Sequence, residues 1–408
     1  MKCRHCNHEL TLPLVDLGSA PPSNAYLTQQ TLQSPEKWFP LRVLVCDRCW
    51  LVQTEDFTDA SDLFSEDYAY FSGFSAAWLQ HSERYVGEMI DRFGLDSGNH
   101  VVEVAANDGY LLQYVQAAGI PCTGVEPTSS TANAARKKGI EIVEQFFGVE
   151  LGEQLIQSGK GADLTIANNV LAHVPDINDF VGGFTALLNP GGVATFEFPH
   201  LVRLVDDHQF DTIYHEHFSY LSLTAVHSVF QNNGLSVFDV ESLPTHGGSL
   251  RVFAQPADTG TQTVSSRVAQ TLSDERQAGV DTTEYYSGFQ SQTERVKDAF
   301  LAFLIEAKRN GKRVAAYGAA AKGNTFMNFA GVRPDLIEFV VDRNPAKQGK
   351  WMPGSRIPIT DESELKRRKP DFIVILPWNL TSEIASQLDY VRGWDARFVR
   401  AIPELELL

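Results

Sequence analysis

Residues 100–126 read His100-Val-Val-Glu-Val-Ala-Ala-Asn-Asp-Gly-Tyr-Leu-Leu-Gln-Tyr-Val-Gln-Ala-Ala-Gly-Ile-Pro-Cys-Thr-Gly-Val-Glu126. The run 100–106 is typical of a short buried strand, because its apolar residues follow one another almost without interruption. Asn107-Asp108-Gly109 predicts a turn, which is followed by a helix and by a second strand that ends on Glu126. A doubly wound sheet with this layout holds a nucleoside cofactor at the carboxyl ends of its strands. Glu126 is therefore well placed to bind both hydroxyls of a ribose.

The glycine content of the turn bears on which cofactor is bound. A dinucleotide site needs Gly-x-Gly-x-x-Gly so that the backbone can approach the pyrophosphate. Here Gly109 is present, but Ala105 and Ala106 stand where glycines are usual. S-adenosylmethionine has no phosphate and makes no such demand.

Two further strands extend the same pattern. One, at residues 163–167, leads into Asn168-Asn169, and the next, at 193–198, follows the turn Asn189-Pro-Gly-Gly192. This order predicts a class I methyltransferase, an α/β fold with a doubly wound sheet. The same pattern of strands and helices is also compatible with an NAD-dependent enzyme or with an inactive α/β core.

Length and charge limit the classes of function. The chain has 408 residues, with 34 Lys and Arg against 51 Asp and Glu, a formal charge of −17. The length predicts two or three domains at roughly 100–200 residues each. The acidic balance argues against nucleic acid as a partner, since phosphate-binding surfaces are basic. Neither a membrane span nor the apolar core of a signal peptide is apparent, so we expect a cytoplasmic protein without a membrane partner. The oligomeric state stays open, and a monomer is compatible with the sequence.

Four of the five cysteines form two Cys-x-x-Cys pairs, Cys3 with Cys6 and Cys46 with Cys49. Such turns place two thiolates on one ion, and two of them complete the tetrahedral shell that zinc prefers. The pattern predicts a structural zinc site, because four thiolates leave no open position for substrate. His5 is an alternative ligand, and two unrelated reduced pairs or a redox motif are the competing interpretations. The remaining cysteine, Cys122, is most simply a buried apolar residue.

Histidines concentrate in one part of the chain, with seven of the eleven between His173 and His246. The densest segment is Tyr214-His-Glu-His217. Histidine is the usual general base near neutral pH, and a neighbouring carboxylate or phenol can tune it. A metal site at His-x-His would need a third ligand from elsewhere, so proton transfer is the simpler hypothesis.

A second α/β pattern begins near Arg313. A predicted strand leads into the loop Gly318-Ala-Ala-Ala-Lys-Gly-Asn324, and a following strand ends on Asp342. Loop amides, a helix N-terminus and Lys322 together are suited to a diphosphate, although an ordinary tight turn would have the same sequence. Residues 306–371 carry 14 Lys and Arg against 8 Asp and Glu, so this region is locally basic.

Taken together, the segments resemble those of S-adenosylmethionine-dependent C-methyltransferases that act on nucleotide-linked 4-keto deoxy sugars. The resemblance covers nearly the whole chain and includes the four N-terminal cysteines, 103–109, 168–173, 214–221, 246–251 and 317–324. It implies three domains: a zinc-binding domain (1–58), a methyltransferase domain (59–258) and a C-terminal Rossmann-like domain that binds the nucleotide sugar (259–408). The implied reaction is methylation of carbon 3 through an enolate, on a sugar whose expected nucleotide is dTDP. An NAD-dependent sugar-nucleotide oxidoreductase and a zinc-stapled binding protein are the alternatives.

The resemblance also implies roles for individual residues. His217 is similar to the family's general base, with Tyr214 and Glu216 beside it and His173 opposite. Protonated His173, Tyr214, Tyr68 or Tyr70 is expected to donate a hydrogen bond to the developing oxyanion. The remaining predicted contacts are, for the cofactor, Glu103, Asn107, Asp108, Gly109, Glu126 and Asn168; for the substrate, Asn169, His246, Gly318, Lys322 and Asn324; and for zinc, Cys3, Cys6, Cys46 and Cys49.

Overall fold

A computed structural model describes residues 1–55, 72–74 and 76–408. The predicted site residues Tyr68 and Tyr70 lie outside the described residues. Strands are numbered in chain order: β1 Leu12–Ala20, β2 Phe39–Val45, β3 Val52–Thr54, β4 Val101–Val104, β5 Cys122–Val125, β6 Glu141–Val143, β7 Ala162–Asn168, β8 Leu188–Pro199, β9 Ser219–Tyr220, β10 Leu235–Leu243, β11 Ser249–Pro256, β12 Val314–Tyr317, β13 Val340–Val341, β14 Ile359–Thr360, β15 Phe372–Ile375, β16 Arg397–Arg400 and β17 Glu406–Leu407. The described α-helices are α1 Ala76–Phe93, α2 Leu112–Ala117, α3 Ser129–Lys137, α4 Val149–Gln157, α5 Ile177–Leu187, α6 Leu201–Asp206, α7 Leu223–Asn232, α8 Ser266–Ala278, α9 Thr283–Tyr286, α10 Phe289–Arg309, α11 Ala321–Phe329, α12 Ser363–Arg368 and α13 Thr381–Gln387.

The N-terminal sheet has the order β1-β2-β3-β9, and its neighbouring strands are antiparallel. Cys46 and Cys49 lie in the turn between β2 and β3, so the sheet brings one cysteine pair to its end. The last strand, β9, comes from much later in the chain, and its Tyr220 pairs with Val52 of β3. The N-terminal sheet is therefore completed by residues that directly follow His217.

The central sheet has the order β10-β11-β8-β7-β4-β5-β6. Its β4 to β8 strands run parallel, while β10 and β11 form an antiparallel hairpin against β8. All four residues of β4 are buried, as expected for a strand with helices on both faces. The strand order reverses between β4 and β7, and a crevice for ligands forms at such a point. The predicted doubly wound sheet is confirmed.

The C-terminal sheet has the order β14-β13-β12-β15-β16-β17, parallel except for β17. Its strand order reverses between β12 and β15, so the loops that follow these two strands form a second crevice. The predicted second α/β unit is confirmed. Within the described ranges, no helix combines the length and apolar character needed to cross a membrane.

One hydrophobic core runs from the N-terminal sheet to the C-terminal sheet. It includes Val43 of β2, Phe210 of the segment that leads to His217, Phe300 of α10 and Phe326 of α11, each at most 3% exposed. The rings of Phe300 and Phe326 stack with centroids 4.6 Å apart. The N-terminal and C-terminal sheets therefore share a core, and Phe210, which precedes His217 in the chain, is packed within it. The boundaries predicted at 58 and 258 stay predictions.

Candidate active site

A cavity of about 200 Å³ opens at the carboxyl ends of β4, β5 and β7. Its walls come from Val104 before the turn, from Val125 and Glu126, and from Asn168 and Asn169. This is the crevice expected where the strand order reverses. Among the predicted site residues, those that line it are Asn107, Glu126, Asn168, Asn169, His173 and His246.

The turn after β4 has three residues with the positive φ that favours glycine, but only one of the three is glycine. Ala105 has φ +60°, Asn107 +50° and Gly109 +71°. A side chain on Gly109 would overlap Ile140, so glycine is required there. Asn tolerates the left-handed region, but Ala pays roughly 1–2 kcal/mol for it. Ala105 is therefore strained at the rim of the cavity.

Replacing Ala105 with Gly is expected to raise the free energy of unfolding by about 0.5–1 kcal/mol, because Gly adopts this φ without a steric clash. Urea unfolding measures the effect. Ala106→Gly is the matched control, since Ala106 is buried and lies outside the left-handed region. That control is expected to lose about 1 kcal/mol. A destabilising A105G would contradict the strain.

Carboxylates and amides around the turn fix its shape. Glu126 accepts the backbone N–H of Asn107 at 2.9 Å and of Thr128 at 3.0 Å. Each carboxylate oxygen keeps a second lone pair, so Glu126 can still accept ribose hydroxyls. Asp108 accepts from Gly73 at 3.2 Å and pairs with Lys138. Asp108 therefore connects the turn to the segment before α1, through Gly73, and to the end of α3, through Lys138.

Glu103 lies beneath the cavity and is fully buried. Burial raises the pKa of its carboxyl well above the usual range, against a smaller lowering by the Tyr110 side chain. Glu103 therefore holds a proton more readily than an exposed glutamate, and it lies behind the turn instead of in the cavity wall.

His217 belongs to a segment at residues 210–217, here called the histidine turn. Its Nδ1 lies 2.9 Å from the Thr212 carbonyl oxygen, which only accepts hydrogen bonds, so Nδ1 carries the proton. Nε2 therefore has the lone pair, and the Tyr214 hydroxyl donates to it at 2.7 Å. The His173 ring meets His217 edge-on with centroids 4.6 Å apart. The predicted base and its neighbours thus lie together, with the nitrogen that would accept a proton in the required state.

Burial keeps the rings of this cluster neutral. Burial, with a contribution from His173, lowers the pKa of His217 well below 6.5. Burial also lowers the pKa of His173 to about 4. His173 is therefore neutral at pH 7, and it can donate through an imidazole N–H but not as an imidazolium. Glu216 is 1% exposed, and its burial raises the pKa of the carboxyl.

Other parts of the chain hold the histidine turn in place. From the N-terminal sheet, Thr54 Oγ1 donates to the His217 carbonyl at 3.1 Å. From the loop after β1, Asn24 Nδ2 donates to Glu216 Oε1 at 3.1 Å. From α11, Thr325 Oγ1 donates to the Ile213 carbonyl at 2.8 Å. The turn is therefore the meeting point of all three sheets.

The C-terminal crevice faces the same turn. Trp378, after β15, donates its indole N–H to Asp211 at 2.8 Å, and Lys322 Nζ lies 4.5 Å from the Trp378 ring. Lys322 also donates to Asn379 at 2.9 Å. Its pKa is lowered by burial, against a raising effect of Asp211. Lys322 therefore presents a cation beside the predicted base.

Two other predicted substrate residues have structural contacts. Gly318 has φ +90°, and a Cβ there would lie 2.5 Å from Pro377 Cδ, so only glycine fits. Asn324 is 1% exposed and donates to the Ser23 carbonyl at 2.6 Å, which joins α11 to the N-terminal region.

The four cysteine sulfurs fit a zinc ion. All lie within 4.8 Å of one another, and the Cys3–Cys49 and Cys6–Cys46 pairs are 3.5 Å apart. A tetrahedral zinc with bonds of about 2.3 Å separates its sulfurs by about 3.8 Å. Gln53 Nε2 donates to Cys3 Sγ at 3.4 Å. Four cysteine ligands would fill the tetrahedral shell of a zinc ion and leave no position for substrate, so the site is structural.

Comparison with known proteins agrees with this geometry. The family descriptions that match are "Putative zinc binding domain" at residues 3–64, "Methyltransferase domain" at 78–240 and "C-methyltransferase C-terminal domain" at 244–403. The C-methyltransferase NovU of Streptomyces niveus is 36% identical over 403 residues, which are 99% of this chain and 96% of NovU. The chain belongs to this C-methyltransferase family. The family matches confirm the predicted enzyme class, an S-adenosylmethionine-dependent C-methyltransferase. The four cysteines lie close together within the matched zinc-binding domain, which confirms the predicted metal site.

Other relatives match a smaller share of the chain. A ubiquinone biosynthesis O-methyltransferase of Bordetella avium (strain 197N) is 29% identical over 101 residues, 24% of this chain and 42% of that protein. The magnesium protoporphyrin IX methyltransferase ChlM of Synechocystis PCC 6803, solved with bound SAM, is 15% identical, covering 49% of this chain and 99% of that one at a TM-score of 0.36. The PH0226 protein of Pyrococcus horikoshii OT3 is 14% identical, covering 47% and 99% at a TM-score of 0.38.

Several residues around the site were not found from the sequence. Asn24 bonds to Glu216 across 192 positions, and Trp378 bonds to Asp211 across 167. Neither pair belongs to a local motif, so no spacing indicates it. His81 lies on α1, and a polar residue beside the apolar positions of an amphipathic helix is a weak signal.

Proposed function

We propose that the enzyme transfers a methyl group from S-adenosylmethionine to carbon 3 of a nucleotide-linked 4-keto deoxy sugar, with dTDP as the expected nucleotide. The observation that carries the proposal is the neutral, partly buried His217 beside His173 of the cofactor cavity, with its Nε2 lone pair available to a substrate that displaces Tyr214. A base in this state suits removal of a proton from carbon, and the adjacent C4 carbonyl of such a sugar acidifies that proton.

The residues of the histidine turn divide the reaction between them. His217 Nε2 takes the proton from carbon 3, and the electron pair of that C–H bond moves into an enolate with its charge on the C4 oxygen. The Tyr214 hydroxyl, displaced from Nε2, and the His173 N–H donate hydrogen bonds to this oxygen, contacts often worth several kcal/mol. Tyr68 and Tyr70 are further candidates for this role. Glu216, held by Asn24, orients the turn.

S-adenosylmethionine supplies an electrophilic methyl group when bound. Residues of the central cavity would hold its methyl group toward carbon 3, where a C–C bond would form as the C–S bond of the donor breaks, with neutral S-adenosylhomocysteine as the leaving group. His217 then returns its proton to solvent. Of the cofactor residues predicted from the sequence, Asn107, Glu126 and Asn168 line the cavity and are the proposed contacts. Glu103, Asp108 and Gly109 are proposed to support the turn behind them.

The C-terminal crevice is proposed to hold the nucleotide. Lys322 supplies a cation between the crevice and His217, and the loop that begins at Gly318 supplies backbone amides for the diphosphate. His246 and Asn169 lie at the cavity side of the same opening, where the sugar ring would rest; their side-chain nitrogens are 3.4 Å apart. Asn324 is proposed to support this loop.

Replacing Glu126 with Ala is expected to weaken S-adenosylmethionine binding by about 10- to 100-fold, because two charge-assisted hydrogen bonds to the ribose are lost. Isothermal titration measures the affinity. The KM of the sugar substrate is expected to change little, since the sugar is proposed to bind near His217, Asn169 and His246 and not at the ribose contact. An unchanged cofactor affinity would remove Glu126 from the ribose site.

The substrate is tested by incubating the enzyme with S-adenosylmethionine and a panel of nucleotide-linked 4-keto deoxy sugars in deuterated water. A mass gain of one methyl group identifies the substrate. Nuclear magnetic resonance locates the exchanged position, since the C4 carbonyl acidifies carbon 3 and carbon 5 alike. Label or methyl at carbon 5 would contradict the assignment to carbon 3, and no methylated product from any member would contradict the substrate class.

A further inference from the structure

The methyl-transfer end of the cofactor cavity must accommodate a full positive charge, the sulfonium of S-adenosylmethionine. Glu126 is the only acid among the described residues that line the cavity. It follows β5, whereas His246 precedes β11, and three strands of the sheet lie between β5 and β11. The lining near His246 is aromatic and includes Trp78 and Tyr110. The sulfonium therefore needs a neutral binding partner at this end.

Trp78 is fixed in position from behind. Its indole stacks on His81 with centroids 4.8 Å apart and an interplanar angle of 18°. The same indole lies 5.2 Å from the ring of His246 and 6.1 Å from that of Tyr110. Three rings thus gather at one end of the cavity.

A single buried carboxylate holds both His81, which stacks behind Trp78, and Thr245, the residue before His246. Glu197 is 0% exposed; its Oε2 lies 2.9 Å from His81 Nε2, and its Oε1 accepts from Thr245 Oγ1 at 3.0 Å. Thr245 directly precedes His246, which is held at φ +55°. Arg251 lies 3.4 Å from Glu197 and balances its charge. A left-handed backbone at a non-glycine residue costs energy, so this arrangement is fixed by its surroundings.

Other groups at this end are also neutral. Burial, with Lys322, lowers the pKa of His246 to about 4, so the ring is uncharged at pH 7. The side-chain oxygens of Asn168 and Asn169 are buried and have no hydrogen-bond donor among the described residues. They can turn partial negative charge toward a cation without placing a carboxylate there.

We propose that Trp78, with Tyr110 and His246 beside it, forms an aromatic box that binds the sulfonium of S-adenosylmethionine by cation–π attraction. The inference rests on the placement of the cofactor in this cavity, which belongs to the proposed function. Methyl transfer to an enolate removes the sulfonium charge, so a carboxylate here would stabilise the reactant more than the transition state. Aromatic faces bind the cation more weakly and release the neutral product.

The test compares the affinities of S-adenosylmethionine and the uncharged S-adenosylhomocysteine by isothermal titration calorimetry on the full chain. In W78L, the ratio of the Kd for S-adenosylmethionine to that for S-adenosylhomocysteine is expected to rise at least about threefold. W78F keeps a smaller π face, so the expected rise is smaller. Phe146→Leu is the matched control, because Phe146 lines the same cavity but is 63% exposed after β6. It is expected to leave the ratio unchanged.

The outcomes separate the inference from the proposed function. If the native enzyme binds neither compound, the cofactor placement fails, and the aromatic box fails with it. If both bind and W78L weakens both by the same factor, Trp78 has a packing role and only the box is overturned. Thermal unfolding reports whether W78L folds; if it does not, W78F decides, and an unchanged ratio in that variant rejects the proposal.

Discussion

Replacing His217 with Asn is expected to lower kcat for methyl transfer by roughly 10²- to 10⁴-fold, the usual contribution of a general base. The Asn amide can still donate to the Thr212 carbonyl, but its oxygen is not basic enough to take a proton from carbon. Affinity for S-adenosylmethionine is expected to stay within about twofold. Mass spectrometry of the product and titration calorimetry measure the two effects.

A second readout isolates the proton transfer. Deuterium exchange into the sugar without methyl donor is expected in the native enzyme and should be lost in H217N. His227→Asn is the matched control, because this half-buried histidine lies on α7, outside the cavity lining. Native turnover in H217N would show that another group is the base.

The pH profile follows from the same histidine. Since burial lowers the pKa of His217 well below 6.5, the ring stays neutral as the pH falls through the range in which an exposed histidine gains its proton. The acid limb of kcat/KM is therefore expected well below pH 6.5. An acid limb near 6.5 would indicate that a solvent-exposed group controls the reaction.

Removing zinc is expected to lower the Tm by more than about 10 °C and to abolish methyl transfer. The metal holds the turns that carry Cys3 and Cys46, and these turns support the active site. Arg4 Nη2 donates to the Thr54 carbonyl at 2.8 Å, and Thr54 Oγ1 in turn bonds to the His217 carbonyl. Loss of the ion therefore releases the residue that positions the proposed base.

Cys46→Ser and chelation with zinc add-back test this expectation, with metal content, thermal unfolding and deuterium exchange measured in parallel. Cys122→Ser is the matched control, because this cysteine lies on β5 in the central sheet. It should retain zinc and most of the Tm. A C46S variant that loses zinc but keeps native exchange would separate the metal from the active site.

The parts of the fold that could be predicted have local sequence patterns. β4 is a run of apolar residues, the acid Glu126 ends β5, and each Cys-x-x-Cys turn carries its own spacing. Such patterns depend on neighbours a few positions apart, so the sequence alone indicates them.

The supports of the site could not be predicted, because their partners are distant in the chain. Asn24 lies in an irregular loop and Asp211 in a short helical turn, and neither shows periodicity. Glu197 lies in a predicted strand, but nothing in that strand's sequence indicates its partners. Its buried carboxylate bonds to His81 and Thr245, which belong to two other elements. Only the assembled sheets bring these atoms together.

The two residues of β9 limit how this protein can be divided. Because β9 completes the N-terminal sheet directly after His217, residues 1–55 alone would expose the edge of β3 that Tyr220 covers. A chimera that exchanges only the N-terminal segment between relatives would pair a foreign β3 with the resident 219–220 strand. Successful domain recombination in this family therefore requires residues 210–221 to be exchanged together with the N-terminal segment.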